Sequence, residues 1–276
     1  MPDRRQTGFV VILAIYFIIV LIIGSTGNRI GTPPLRFLTF ETSPAVKPSA
    51  DAYARDFNWM GATKRDRQVT FAIASEQMKN EWRSFGVPRE LQKPQILEQK
   101  GFVHLGGGVY IVDYVKVFSR NLDYFDSLTR SLAESTELPA VGDPLPEFLA
   151  FVQNITYEKP PAYYRNKFIN SFFPPLVCLY EKYGDCDSKS LLLATFLAIQ
   201  NPREKQALVL IRAMGISHAF LAVRRTPLPG MTSIFIEGNG YYIPVETSAP
   251  GWAPGFASER VLDVIRSGKF MFQILP

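Results

Sequence analysis

Apolar residues along the chain fall into one unbroken run and a long remainder of short periodic groups. Phe9 to Ile23 (FVVILAIYFIIVLII) contains no polar side chain, and the uncharged stretch extends from Gln6 to Asn28, the length of a helix that crosses a hydrocarbon core. A run apolar on every side is not an amphipathic surface helix, and a strand of this length without a turn signal is improbable. Residues 1–28 are therefore expected to form a single-pass anchor. Arg4, Arg5 and the α-amine precede it, which favours a cytoplasmic N-terminus and an extracytoplasmic globular domain. Arg29 and Arg36 oppose that orientation, and the small residues of GSTGN leave a cleaved signal peptide as the competing reading.

Beyond the anchor, residues 29–56 carry Pro33, Pro34, Pro44 and Pro48 without an apolar period and read as a linker. The globular part is expected to start near Phe57. Val69, Phe71 and Ile73 alternate through Gln68–Ser75 as a strand does, and Glu76–Phe85 follows as a short helix or turn. The three glycines of GFVHLGGGVY lack the GK[ST] that closes a phosphate loop, so this stretch and its His104 read as a flexible loop. Helical spacing appears in Tyr124–Glu134 and in Pro146–Ile155, the latter with prolines at its start. GDCDSKS then leads into LLLATFLAIQ, a strong helix stopped by Asn201 and Pro202. Strands are expected at Ala207–Ala213 and Ser217–Arg225, and a hairpin from Ile234–Glu237 and Tyr241–Thr247 around Gly238, Asn239 and Gly240. One helix followed by several strands is an α+β order.

Composition narrows the function classes. The 276 residues carry a net charge of +5 with basic residues scattered, where a nucleic-acid binder shows a dense basic patch. No nucleic-acid partner or cofactor is implied. Two cysteines and two histidines without CxxC or HxxxH spacing argue against a metal centre.

The chemistry that remains is a choice among Cys178, Cys186, His104 and His218. Cys178, within PPLVCLY, reads as a small buried hydrophobe. Cys186 sits in the first turn of a helix for which Asp185 is a natural N-cap, where free N–H groups and the helix dipole favour a thiolate and can receive an oxyanion. Asp185 and Asp187 oppose this with negative charge, so a histidine is needed to pair with the sulfur and shuttle its proton. His218 is the candidate, on a strand whose faces are Ala219, Leu221, Val223 and His218, Phe220, Ala222. Tyr242, Pro244 and Glu246 share a face of the last strand, and an antiparallel sheet in this order lets Glu246 orient His218. Glu237 is a rival acid. Asp187 and Lys189 read as a solvated first helical turn, and Trp59, Trp82 and Trp252 as packing residues, with Trp252 a candidate to line the cleft.

Four blocks, FVQNITY (Phe151 to Tyr157), YGDCDSKSLLLATFL, SHAFLAV and YYIPVETS, resemble in order and approximate spacing the bacterial and archaeal transglutaminase-like domains of the papain-like cysteine proteinase superfamily. The resemblance spans Phe151 to Ser248. It implies a core at 141–276 with a Cys-bearing helix packed on an antiparallel sheet, and an N-terminal α/β extension at 57–140. It assigns Cys186 as nucleophile, His218 as base and Glu246 as acid, a position where the superfamily usually has Asp. Gln153 matches the glutamine of the FVQ block and is a candidate oxyanion donor, or else makes a structural hydrogen bond. The implied reaction is acyl transfer through a thioester on a peptide or protein substrate, as a protease, amidase or transglutaminase. The alternative is a membrane-tethered domain that binds a peptide or protein partner without catalysis.

Overall fold

The computed structural model describes residues 51–137 and 142–276. The segment expected to form the anchor lies outside them, and among the described residues no helix is long and apolar enough to cross a membrane. The first element is a hairpin of β1 (Ala52–Met60) and β2 (Asp66–Ala74), with Phe57 opposite Val69 and Trp59 opposite Arg67. β1 begins inside the stretch expected to be linker, because only Trp59 of its residues is buried and it shows little apolar alternation. Helix α1 (Ser75–Ser84) follows directly, with the Gln77 side chain accepting from the Ala74 N–H at 3.2 Å.

After α2 (Pro94–Gln99), the glycine-rich stretch is a second hairpin, β3 (Phe102–Gly106) and β4 (Val109–Val112), and not a flexible loop. Gly106, Gly107 and Gly108 all have positive φ (98°, 57° and 77°), the conformation that makes the reversal and that glycine adopts without strain. His104 lies in β3, accepts from the Gly108 N–H and stacks on Tyr110, so it supports the turn. Helix α3 (Tyr114–Ser135) starts ten residues before the expected Tyr124, with the Asp113 carboxylate capping the Lys116 N–H at 3.0 Å. Its first half looks polar because Arg120 and Asn121 lie there. Both bind Glu81 of α1, which is fully buried.

Helices α4 (Leu145–Asn154) and α5 (Pro175–Glu181) each open on prolines. They pack with α3 around α6 (Cys186–Gln200), whose residues Ser188–Leu197 are all buried. Then comes a five-stranded antiparallel sheet of β5 (Gln206–Ala213), β6 (Ile216–Val223), β7 (Ile234–Ile236), β8 (Gly240–Val245) and, after α7 (Glu259–Arg266), β9 (Phe270–Leu275), in the order β7-β8-β6-β5-β9. Alternation sorts its side chains. Leu208, Leu221, Val223 and Val245 join the large core under α6, while Val209, Phe220, Ala222 and Tyr242 join a smaller core under α7. The architecture is α+β, with the sheet between the two layers. Phe71 of β2 and Phe125 of α3 pack on Phe196 of α6, which also meets Phe151 of α4. The described residues 57–137 and 142–276 therefore share one core.

Candidate active site

The start of α6 is set by packing behind it. A Cβ on Gly184 would lie 2.9 Å from the Cys178 sulfur and 3.0 Å from Ser188 Cβ, so only glycine lets the chain enter the helix this close to α5. Asp185 has the extended backbone of an N-cap, but its carboxylate caps no N–H. Instead it accepts from the Ser188 hydroxyl at 2.8 Å, and that hydroxyl accepts from the Phe173 N–H at 3.0 Å. Cys186 is thereby presented at the first turn, partly exposed, while Cys178 is fully buried and both thiols are free.

The sheet supplies the other two groups. β6 pairs with β8 only from Leu221 to Val223, opposite Ile243 to Val245. His218 precedes that ladder and Glu246 follows it, so the two side chains meet across its open end, with His218 Nε2 and Glu246 Oε2 2.6 Å apart. The second carboxylate oxygen accepts from the Ser248 N–H at 2.9 Å. With Nε2 on the glutamate, Nδ1 is the ring nitrogen that Glu246 does not engage. Cys186 and His218 border one cavity of about 190 Å³, together with Tyr114, Asp187, Ser217 and Ala219, with no hydrogen bond between thiol and ring. Behind the ring a second recess of about 260 Å³ is lined by His218, Glu246 and Trp252, which places Trp252 beside the site. Trp59 is core, and Trp82 packs against Tyr164.

The electrostatics run against a standing thiolate. Burial, then the charges of Asp187 and Asp185, push the Cys186 thiol up to about 12, although the N–H groups of Ala219 and Asp187 beside the sulfur pull the other way. The expected helix-start stabilisation is present and is outweighed. Asp185 is itself raised far above the carboxylate range by burial and by Asp187, so it holds a proton at neutral pH. Burial also raises Glu246, but the bond and charge of His218 and the Ser248 N–H outweigh it and leave the carboxyl below its ordinary range. Burial lifts the Cys178 thiol to about 12 as well, in keeping with an inert core residue.

Two expectations need correction, and for Gln153 the structural hydrogen bond is the alternative found. Gln153 is not placed as an oxyanion donor: it is buried, and its amide nitrogen donates to the carbonyls of Glu246 and Trp252, both at 2.8 Å. Lys189 is not solvated but fully buried, its ammonium bonded to the carbonyls of Gln153 and Ile155 at the end of α4. Asp187 is held by the Tyr114 hydroxyl at 2.5 Å and the Ser188 N–H at 2.9 Å. Glu237, the rival acid, is exposed at the β7–β8 turn, away from His218. The site also contains residues the pattern did not single out. Tyr114 carries no local signal, and Asn170 and Ser171 line the cavity with φ of 54° and 59°, a conformation that non-glycine residues take up at some cost. No protein-family model matches the chain, and neither does a curated protein or a solved structure.

Proposed function

We propose that the protein is a thiol-dependent acyl-transfer enzyme with a papain-like core, in which Cys186 attacks an amide or peptide carbonyl, His218 moves the proton and Glu246 orients the ring. The observation that carries this reading is the 2.6 Å bond from Glu246 to His218 Nε2, made beside a cavity that His218 shares with a cysteine at a helix start. Because the resting thiol is protonated, the nucleophile forms during attack. His218 Nδ1 takes the thiol proton as the C–S bond forms, and the carbonyl π pair moves onto oxygen. Collapse of this intermediate breaks the C–N bond, and the imidazolium gives its proton to the departing amine. Water then attacks the thioester with His218 as base and regenerates the thiol. An amine in place of water would make the same chemistry a transamidation; hydrolysis is the reading we favour. With the apolar run at residues 9–23 as anchor, the site acts at a membrane surface on peptide or protein substrates.

A second reading, a peptide- or protein-binding domain without turnover, is favoured by the elevated thiol and by the absence of a thiol–imidazole hydrogen bond among the described residues. Alkylation by iodoacetamide separates the two. An enzyme gives rapid labelling of Cys186 at pH 7 that falls at least tenfold in His218→Ala. Slow labelling indifferent to His218 refutes catalysis.

A further inference from the structure

The cavity that Cys186 and His218 share also carries two cations, Lys159 and Arg212. Along β5, Leu208 and Leu210 face the large core under α6, and alternation puts Arg212 next on that same face, opposite Ser217 of β6. Arg212 and Ser217 both line the cavity. Lys159 comes from a different part of the chain: Thr156 and Tyr157 run parallel to Tyr183 and Gly184, and the Glu158 N–H donates to the Gly184 carbonyl at 3.2 Å. Residue 159 thus follows beside the turn into Cys186.

Both side chains are exposed, and neither has a salt bridge or side-chain hydrogen bond among the described residues. Arg225, just beyond β6, is by contrast paired with Asp143 and Glu204. The two carboxyl groups of the cavity are already engaged: Asp187 accepts from the Tyr114 hydroxyl and the Ser188 N–H, and Asp185, which accepts from the Ser188 hydroxyl, keeps its proton. We infer that Lys159 and Arg212 bind a carboxylate on the acyl part of the substrate, so that the site selects acidic acyl donors. The inference rests on the reading of Cys186 as nucleophile. The acyl part is the portion that stays bonded to the sulfur, and of the two recesses beside His218 Cys186 borders only the one that holds these cations. A guanidinium meets a carboxylate through two parallel hydrogen bonds, and an ammonium adds a mobile point charge.

The test labels Cys186 of the full-length protein with two reagents that differ in charge and little in size. Iodoacetate carries a carboxylate and iodoacetamide a neutral amide, and both bond to the sulfur with loss of iodide. Cys178 is buried, so labelling reports the site. The ratio of the two rates, iodoacetate over iodoacetamide, cancels any effect of a substitution on the sulfur itself. It should exceed that of 2-mercaptoethanol about tenfold, and Arg212→Gln and Lys159→Gln should each lower it about threefold, within the worth of an exposed ion pair. A wild-type ratio no higher than that of the small thiol, or one that either substitution leaves unchanged, overturns the inference. Two isomers then locate the carboxylate: N-acetylglutamate α-amide bears it on the side chain and N-acetylglutamine on the main chain. The better protector of Cys186 against iodoacetamide names the source, and protection by neither overturns the inference. An iodoacetamide rate that His218→Ala leaves unchanged would instead overturn the triad, and this inference through it, so the two failures are distinguishable.

Discussion

Replacing Glu246 by Gln keeps the side-chain shape and removes one charge, and the neighbouring bonds dictate how the imidazole responds. The Ser248 N–H requires an oxygen at the Oε1 position, so the amide NH2 of the variant takes the Oε2 position and faces His218 Nε2. That nitrogen must then accept, the ring proton moves to Nδ1, and Nδ1 can no longer act as the base proposed for the Cys186 thiol. The competent tautomer returns only if the amide flips. Flipping turns the NH2 against the Ser248 N–H inside a buried pocket, a penalty of about 1–3 kcal/mol, and the neutral oxygen then offered to Nε2 replaces a charged acceptor, about 1–1.5 kcal/mol more. The sum of about 2–4.5 kcal/mol is a loss of about 30- to 2000-fold, at 1.36 kcal/mol per factor of ten. The assay is the rate of p-nitrophenol release from p-nitrophenyl acetate, with a thermal melt to show that the variant is folded. A folded Glu246→Gln protein that retains more than a tenth of wild-type acylation would refute this account of the acid.

Gln153→Ala removes the two bonds to the Glu246 and Trp252 carbonyls. It should lower the melting temperature, by about 1–3 kcal/mol of stability, and reduce acylation less than tenfold; a loss of 100-fold with unchanged melting would restore its oxyanion role. Asp185 has a folded-state pKa raised above its unfolded value, so its stabilising contribution is complete below about pH 4 and declines as pH rises toward the folded value. Urea melts of wild type should therefore show stability falling from pH 5 to pH 8, and Asp185→Asn should flatten that slope. Identical slopes would contradict a buried protonated carboxyl.

How much of the fold the sequence revealed depends on how local each signal is. Helix α6 was legible because its apolar residues run from Leu191 to Ile199 with only Thr195 between them and Asn201 and Pro202 stop it. The strands that carry His218 and precede Glu246 were legible through alternation and a glycine-rich turn. β1 was not, since most of its residues face solvent and the pairing with β2 supplies its conformation. The first half of α3 was hidden by Arg120 and Asn121, polar residues buried only because Glu81 comes to meet them. Lys189 failed for the same reason. A charged residue one turn into a helix is normally solvated, and nothing local tells that two carbonyls of α4 will cover it.

Those hidden contacts explain how Glu246 is held. Ser190 and Thr247 join their hydroxyls at 2.9 Å, tying helix α6 to the residue after Glu246. A second tie runs from Lys189 to the end of α4, and from Gln153 on that helix to the Glu246 carbonyl. Burial lowers Lys189 to about 8, and its ammonium is accommodated because the last carbonyls of a helix lack intrahelical partners and carry partial negative charge. The backbone at 246 is thus fixed from two sides, just beyond the end of the β6–β8 ladder. From that fixed point the carboxylate must span the gap to an imidazole on the neighbouring strand. An aspartate is one methylene shorter, about 1.5 Å, which would stretch the 2.6 Å contact beyond hydrogen-bonding range unless both ties gave way. The glutamate at this position is therefore what the geometry requires: the side chain supplies the reach that the anchored backbone cannot.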